Sequence, residues 1–381
     1  MNSTCHPPCV AHFVHSAFEL TETFVFDFVR SPRRYESWAY AATRINQDQF
    51  PIEHVLLREM PAAGVGRLVS RFVKRVFSRS RIGPAEFVRQ VQPTVVHAHF
   101  GPRGWEALAM CERHKLPLVT SFYGRDASAI PNEEGWRARY KLLFQSGDAF
   151  IVEGPAMRER LVALECPPEK IHIVPLIFDG AYKFRERQLV EGEELKLVFV
   201  GRFVDKKGLP ILLRALGVSQ DKIGPFRLSV IGDGPCREEM EHLANELGIA
   251  NRVVFCGYCS RDAMKSELEA SHILVAPSRT AADGDTEGGA PTILVEAMAM
   301  GLPIASTTHA DIPFVCSAYV DFLAEEDDVP DLADKIVRLR ESHRQWPQLA
   351  QSALRHVQTQ HSLENIEKLE DVYDLVSRAR L

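Results

Sequence analysis

Two cations stand directly behind an apolar run: Arg202 follows Leu197–Gly201, and Lys207 comes shortly after it with Lys206 alongside. Open α/β sheets bind ligands beyond the carboxyl ends of their strands. Fixed positive charge there suits an anion whose charge grows as a bond breaks, and Lys207 is a stronger candidate for that task than Lys206. Further along, Gly288, Gly289 and Ala290 lead into Pro291 and a helix from Thr292. Small residues let the backbone approach a ligand closely, and open N–H groups with the helix dipole make an anion seat. Proline is tolerated in a first turn because its missing N–H is unneeded there. The helix reads Thr-Ile-Leu-Val-Glu-Ala-Met-Ala-Met, apolar on nearly every side, so Glu296 is expected to be a buried carboxylate. Such a group is costly unless a partner or ligand compensates it, and at i+4 from Thr292 it can face the same ligand. A second carboxylate, Glu287, closes the preceding loop.

Two other constellations carry less chemistry. Asp283-Gly284-Asp285 offers hard oxygen ligands of the kind Mg²⁺ or Mn²⁺ takes, but it sits in a polar loop and reads as a solvated turn. Cys256 and Cys259 form the one CxxC pair; with no second pair and no histidine at zinc spacing, it reads as a strand end and its turn. No metal and no cofactor is expected.

The elements that must hold these groups alternate short β-branched or aromatic runs with longer helical segments, the pattern of parallel sheets built from βαβ units. The runs are Val10–His15, Trp38–Thr43, Val95–His99, Leu118–Phe122, Ala149–Val152 and Ile171–Val174, then Leu197–Val200, Arg227–Ile231, Val253–Cys256, Ile273–Ala276 and Pro303–Ser306. Being apolar throughout, such strands need cover on both faces. At 381 residues the chain exceeds what one core organises, so two domains are expected, 1–178 and 197–360. The charged stretch between them, 179–196, reads as a linker. A final helical stripe, Leu363, Ile366, Leu369, Val372, Tyr373 and Val376, falls in 361–381.

Net charge −6 gives no global pull toward nucleic acid. No run approaches the roughly 20 apolar residues of a membrane span, and the first ten residues lack a signal-peptide pattern, so a cytoplasmic location is expected. Eight scattered cysteines suit reduced thiols.

The motifs together resemble a known family. They are Val200-Gly201-Arg202-Phe203-Val204-Asp205-Lys206-Lys207-Gly208, Ile231-Gly232-Asp233-Gly234-Pro235, Phe255-Cys256-Gly257, Ala276-Pro277-Ser278, Glu287-Gly288-Gly289-Ala290-Pro291 and Glu296 to Pro303. Their order and spacing resemble the retaining glycosyltransferases of the family-four type. Glu22-Thr23-Phe24 and His97-Ala98-His99-Phe100 resemble the subset that builds bacterial surface polysaccharides. The resemblance implies two Rossmann-like domains facing across a cleft (the GT-B fold), with the last helix crossing back to the first domain. It implies transfer of a sugar from a nucleotide-sugar donor to an acceptor hydroxyl with retention and without metal. In its terms Arg202 and Lys207 hold the diphosphate and Glu296 grips the ribose hydroxyls. Gly288, Gly289, Ala290, Pro291, Thr292 and Cys259 complete the donor side. The family's two glutamates are one residue closer together than Glu287 and Glu296, so either Glu287 or Gly288 takes the sugar-contacting place, and Glu287 is favoured with a one-residue bulge.

On the acceptor side the resemblance selects Glu22, Thr23, Tyr123 and Asp126, with Thr21 as N-cap of the first helix. Tyr123 stands where the family has a histidine, and a phenol is a poor base near neutral pH. The stripe Val65, Leu68, Val69, Phe72, Val73, Val76 and Phe77, flanked by Arg67, Arg71, Lys74, Arg75, Arg79 and Arg81, suits either an anionic membrane surface or an ordinary helix packed on its sheet. The first option implies peripheral attachment to the inner membrane face and fits a saccharide or lipid-linked acceptor. Two rival readings remain at this level: a nucleotide-sugar epimerase of similar architecture, and a non-catalytic nucleotide-sugar-binding partner.

Overall fold

The computed structural model describes residues 7–19, 22–58, 81–178 and 182–380. The chain divides into two compact units: 1–152 with 158–177 and 363–381, and 153–157 with 178–362. The stripe from Val65 to Arg79 lies outside the described residues, as does Thr21. No described helix is long and apolar enough to cross a membrane.

The first unit carries eight parallel strands: β1 (Cys9–Ala17), β2 (Glu36–Arg44), β3 (Val55–Arg58), β4 (Arg81–Ile82), β5 (Val95–His99), β6 (Leu118–Ser121), β7 (Ala149–Val152) and β8 (Ile171–Ile173). Their order is β4-β3-β2-β1-β5-β6-β7-β8, so the winding reverses between β1 and β5. The helix Glu364–Arg378 belongs to this unit: Ile366, Leu369, Tyr373 and Val376 pack on Val10, Val95, Val119 and Ile151. Its buried Glu370 accepts the amides of Arg33 and Arg34 at 2.7 and 2.6 Å and the Arg34 Nε at 3.1 Å.

The second unit holds six parallel strands: β9 (Leu195–Val200), β10 (Phe226–Ile231), β11 (Val253–Gly257), β12 (Ile273–Ala276), β13 (Ile304–Thr307) and β14 (Leu323–Ala324). The order β11-β10-β9-β12-β13-β14 reverses between β9 and β12. A crevice beyond the carboxyl ends of two strands that wind apart is the place where such sheets take ligands.

The stretch read as a linker is instead packed into the second unit. The buried Arg187 donates to the carbonyls of Ser271, Leu268 and Arg185 at 3.0, 3.1 and 2.7 Å, and Tyr182 and Leu189 join the core. Charge alone does not mark a segment as free when a guanidinium finds carbonyls to satisfy it.

Gly208 closes the turn after β9. It has φ +67°, and a Cβ there would overlap the carbonyl oxygen of Pro277 beyond β12. Gly208→Ala should therefore destabilise this unit by about 2–4 kcal/mol, from left-handed backbone strain plus a clash that only main-chain movement relieves. Urea unfolding checks this, and an unchanged midpoint would show that the two loops are not in close contact.

Candidate functional site

The loops that leave β9 and β12 meet at that reversal. Lys207 ends the short 3-10 turn Asp205–Lys207, and its Nζ lies 2.8 Å from Glu287 Oε1. Ser278 Oγ donates to the same oxygen at 3.2 Å. Lys206 is buried and structural: its Nζ donates to Asp285 Oδ1 and to the Thr286 carbonyl, each at 3.1 Å. Arg279 braces the turn from the other side through Asp205 at 2.9 Å. Arg202 is exposed, and its guanidinium makes no ion pair among the described residues.

Glu287 is 8% exposed. Burial, the largest single influence, pushes its carboxyl upward. Lys207 and Lys206, the hydrogen bond from Lys207 and the nearby His309 together outweigh it, so the group is held below the usual carboxylate range. The arrangement is a desolvated carboxylate beside an ammonium, with further amides on Gly288, Gly289, Ala290 and Thr292. The helix begins at Thr292, with Pro291 at the N-cap position (φ −54°, ψ 131°) and not within the first turn as expected; no side chain caps its amides. Those amides can receive an anion.

Three expected positions differ in setting. Glu296 is half-buried where full burial was expected: the carboxylate lies by Tyr182, whose phenol is pushed up to about 12, first by burial and then by Glu296. The apolar pattern of its helix gave no sign of this polar neighbour. Cys259 rests its thiol 3.7 Å from the Gly257 carbonyl beyond β11, and no contact among the described residues ties it to Lys207 or Glu287. Asp285 turns to Lys206, while Asp283 Oδ1 accepts the Asp285 amide at 3.0 Å.

In the first unit, Thr23 opens the helix Thr23–Arg30, and the N-cap position falls on Glu22, whose side chain does not cap it. The next residue, Phe24, meets Tyr123 with ring centroids 4.8 Å apart. Asp126 is buried, and its oxygens accept the amides of Gly101, Tyr123 and Gly124 at 2.9, 3.0 and 2.9 Å. It therefore shapes the backbone under Tyr123 and does not present a carboxylate to a ligand.

Behind Tyr123 runs a buried column. Tyr123 OH lies 2.7 Å from His99 Nδ1, and His99 Nε2 lies 3.0 Å from His12 Nδ1. His97 bonds Tyr373 and Ser121, each at 2.7 Å. These three histidines bring possible metal-ligand atoms within 4.8 Å of one another. A ligating ring must aim its in-plane nitrogen at the ion, yet His12 and His99 are stacked at 25° and His97 and His99 are tilted by only 31°. Both nitrogens of His97 and of His99, and Nδ1 of His12, instead form hydrogen bonds, while His12 Nε2 has no partner among the described residues.

Ser278 and His309 were not singled out from sequence. Ser278 carried a signal as the end of Ala276-Pro277-Ser278; His309, an isolated histidine after β13, carried none.

The model for glycosyl transferases group 1 matches residues 194–342, and that for glycosyltransferase family 4 matches 47–179. WcaL of Salmonella typhimurium, provisionally assigned as a colanic acid biosynthesis glycosyltransferase, is 31% identical over 266 residues, 68% of this chain and 65% of that protein. The amylovoran biosynthesis glycosyltransferase AmsK of Erwinia amylovora is 30% identical over 69% of this chain and 65% of its own length. The matched region thus spans just under two thirds of these relatives. Among solved structures, HepE of Anabaena, in complex with UDP and glucose, superposes with TM-score 0.74 at 16% identity over 97% of this chain and 100% of its own. Sucrose-phosphate synthase of Thermosynechococcus elongatus gives 0.75 at 16% over 98% and 100%. At that identity the likeness carries the fold alone. Glycosyltransferase family models over each half of the chain, together with two parallel sheets in the GT-B fold, identify the chain as a member of the GT-B glycosyltransferases of the family-four type.

Proposed function

We propose that this chain moves a hexosyl group from a nucleoside diphosphate sugar to an acceptor hydroxyl, with retention of anomeric configuration and without a divalent metal, in the synthesis of a bacterial surface polysaccharide or glycolipid. The observation that carries the reading is the Lys207–Glu287 pair, 2.8 Å apart at the β9/β12 reversal, with Arg202, which makes no ion pair among the described residues, just beyond β9. When the bond from the sugar's anomeric carbon to the diphosphate breaks, the electron pair stays on the phosphate oxygen. Arg202, Lys207 and the open amides before Thr292 are the groups available to stabilise that charge. Glu287 then meets the sugar, and Glu296 the ribose. Relatives named for colanic acid and amylovoran synthesis support a polysaccharide product, and a structure solved with UDP and glucose supports the donor class. Tyr123, Thr23 and Glu22 belong to the acceptor side of this reading, and the basic stripe 65–81 would hold the chain against an anionic inner membrane face near a lipid-linked acceptor.

A thermal-shift panel of UDP-, GDP- and ADP-linked hexoses tests it. A donor at a hundred times its dissociation constant should stabilise the chain by about 2.7 kcal/mol, a rise of several degrees. A panel without any shift would remove the donor reading. Since protein cations are proposed to neutralise the diphosphate, transfer should persist in excess chelator. Activity abolished by chelator and restored by Mg²⁺ would return Asp283 and Asp285 as ligands.

A further inference from the structure

We infer that His309 is the positioning residue that presents Glu287 to the donor sugar, an inference that rests on the role just proposed for Glu287. His309 is 1% exposed, just past β13. Its Nε2 lies 3.1 Å from the Glu287 amide nitrogen, and its Nδ1 lies 2.7 Å from Glu326 Oε1. An amide N–H can only donate, so Nε2 must be the bare acceptor. The imidazole proton therefore sits on Nδ1 and is donated to Glu326, whose other oxygen accepts the Thr280 amide at 2.7 Å. One tautomer is fixed from both ends.

The same turn grips the loop a second time. Ala310 takes a left-handed conformation (φ +48°), which brings the Asp311 amide to the Gly289 carbonyl at 3.0 Å. Glu287 and Gly289 are thus pinned on either side of Gly288. Between Glu287 and the helix at Thr292 lie only Gly288, Gly289, Ala290 and Pro291. Two adjacent glycines are the most costly residues to order, so a loop containing them would leave Glu287 free to swing unless its backbone were tied. His309 supplies the tie, and with the amide fixed the Glu287 carboxylate stays on Lys207 and Ser278.

Amide hydrogen exchange over residues 286–290 of the whole chain reads this bond directly. His309→Asn keeps only a group at the reach of Nδ1; His309→Gln offers an acceptor at the reach of Nε2. The Glu287 amide should exchange about tenfold faster in H309N and near the wild-type rate in H309Q, with thermal midpoints close to each other. Nucleoside diphosphate release from a mixture of UDP-glucose, UDP-galactose and GDP-mannose should fall in H309N and recover in H309Q, while affinity for UDP and GDP alone stays put. Should H309N fail to fold, Glu326→Ala, which frees the ring to turn, should still speed exchange of the Glu287 amide several-fold. Equal exchange rates in wild type and the variants would overturn the inference even if Glu287→Gln is inactive. Wild-type donor release by E287Q would overturn the role of Glu287 and this inference with it.

Discussion

Lys207→Ala is expected to lower turnover by about 100-fold or more, because the ammonium is proposed to meet charge that grows as the sugar–phosphate bond breaks. The same change also strips the counter-ion from a carboxylate that is 9% exposed as a side chain, so stability should fall by about 1–3 kcal/mol. The two effects separate in the double variant. Lys207→Ala with Glu287→Gln removes the unpaired buried charge and should regain much of the stability without regaining turnover. Steady-state donor consumption and urea midpoints on the same preparations make the comparison. Turnover near wild type in K207A would take Lys207 out of the mechanism, and turnover that recovers along with stability would show that the single variant was merely poorly folded.

Acid should unfold the first unit steeply. His12, His97 and His99 face one another on β1 and β5, all without exposure. Burial pulls His12 down to about 3 and, with the neighbouring rings adding to it, holds His97 and His99 well below the ordinary range. The unfolded chain takes up these protons near pH 6.5 while the folded unit does not. Above that pH neither state binds them and the rings have no linkage effect. As pH falls from about 6.5 toward the depressed folded values, stability is lost at up to about 1.4 kcal/mol per pH unit for each ring, about 4 for three. A domain holding roughly 5–15 kcal/mol would exhaust it within a few units of acidification. Unfolding free energy measured from pH 7.5 to 4.5 should show an uptake approaching three protons, and His12→Asn should reduce it by about one. A flat profile across that window would mean that the rings accept protons in the folded state.

The two sheets could be read from the chain because each long strand is an apolar run between helical segments, and a doubly covered parallel strand needs that composition. Val55–Arg58, Arg81–Ile82 and Leu323–Ala324 escaped: two of them are only two residues long, and Val55–Arg58 ends on a charged residue with no β-branched or aromatic run around it. Arg202, Lys207 and Glu287 were selected from type and order, and the structure brings Lys207 and Glu287 together. Glu287 was favoured over Gly288 on the sequence, but that its carboxylate pairs with Lys207 was not legible, since a contact between two distant loops leaves no local pattern. Asp126 had the type of a ligand contact, yet three backbone amides occupy it; Glu296 sat in an apolar helix, yet Tyr182 comes from more than a hundred residues earlier. His309 touches Glu287 across 22 positions, and a single histidine at such a separation has no pattern to betray it.

A nucleoside diphosphate sugar is proposed to bind at the β9/β12 reversal, with its diphosphate on Lys207 and its sugar on Glu287. Titration calorimetry, in chelator, of the nucleoside diphosphate and of its hexose conjugate against wild type, Lys207→Ala and Glu287→Gln addresses it most directly. Loss of Lys207 should weaken both ligands by about 10- to 100-fold, the worth of one charge-assisted hydrogen bond, whereas loss of Glu287 should weaken the conjugate alone. Equal affinities across the three proteins for both ligands would place the donor elsewhere and contradict the account.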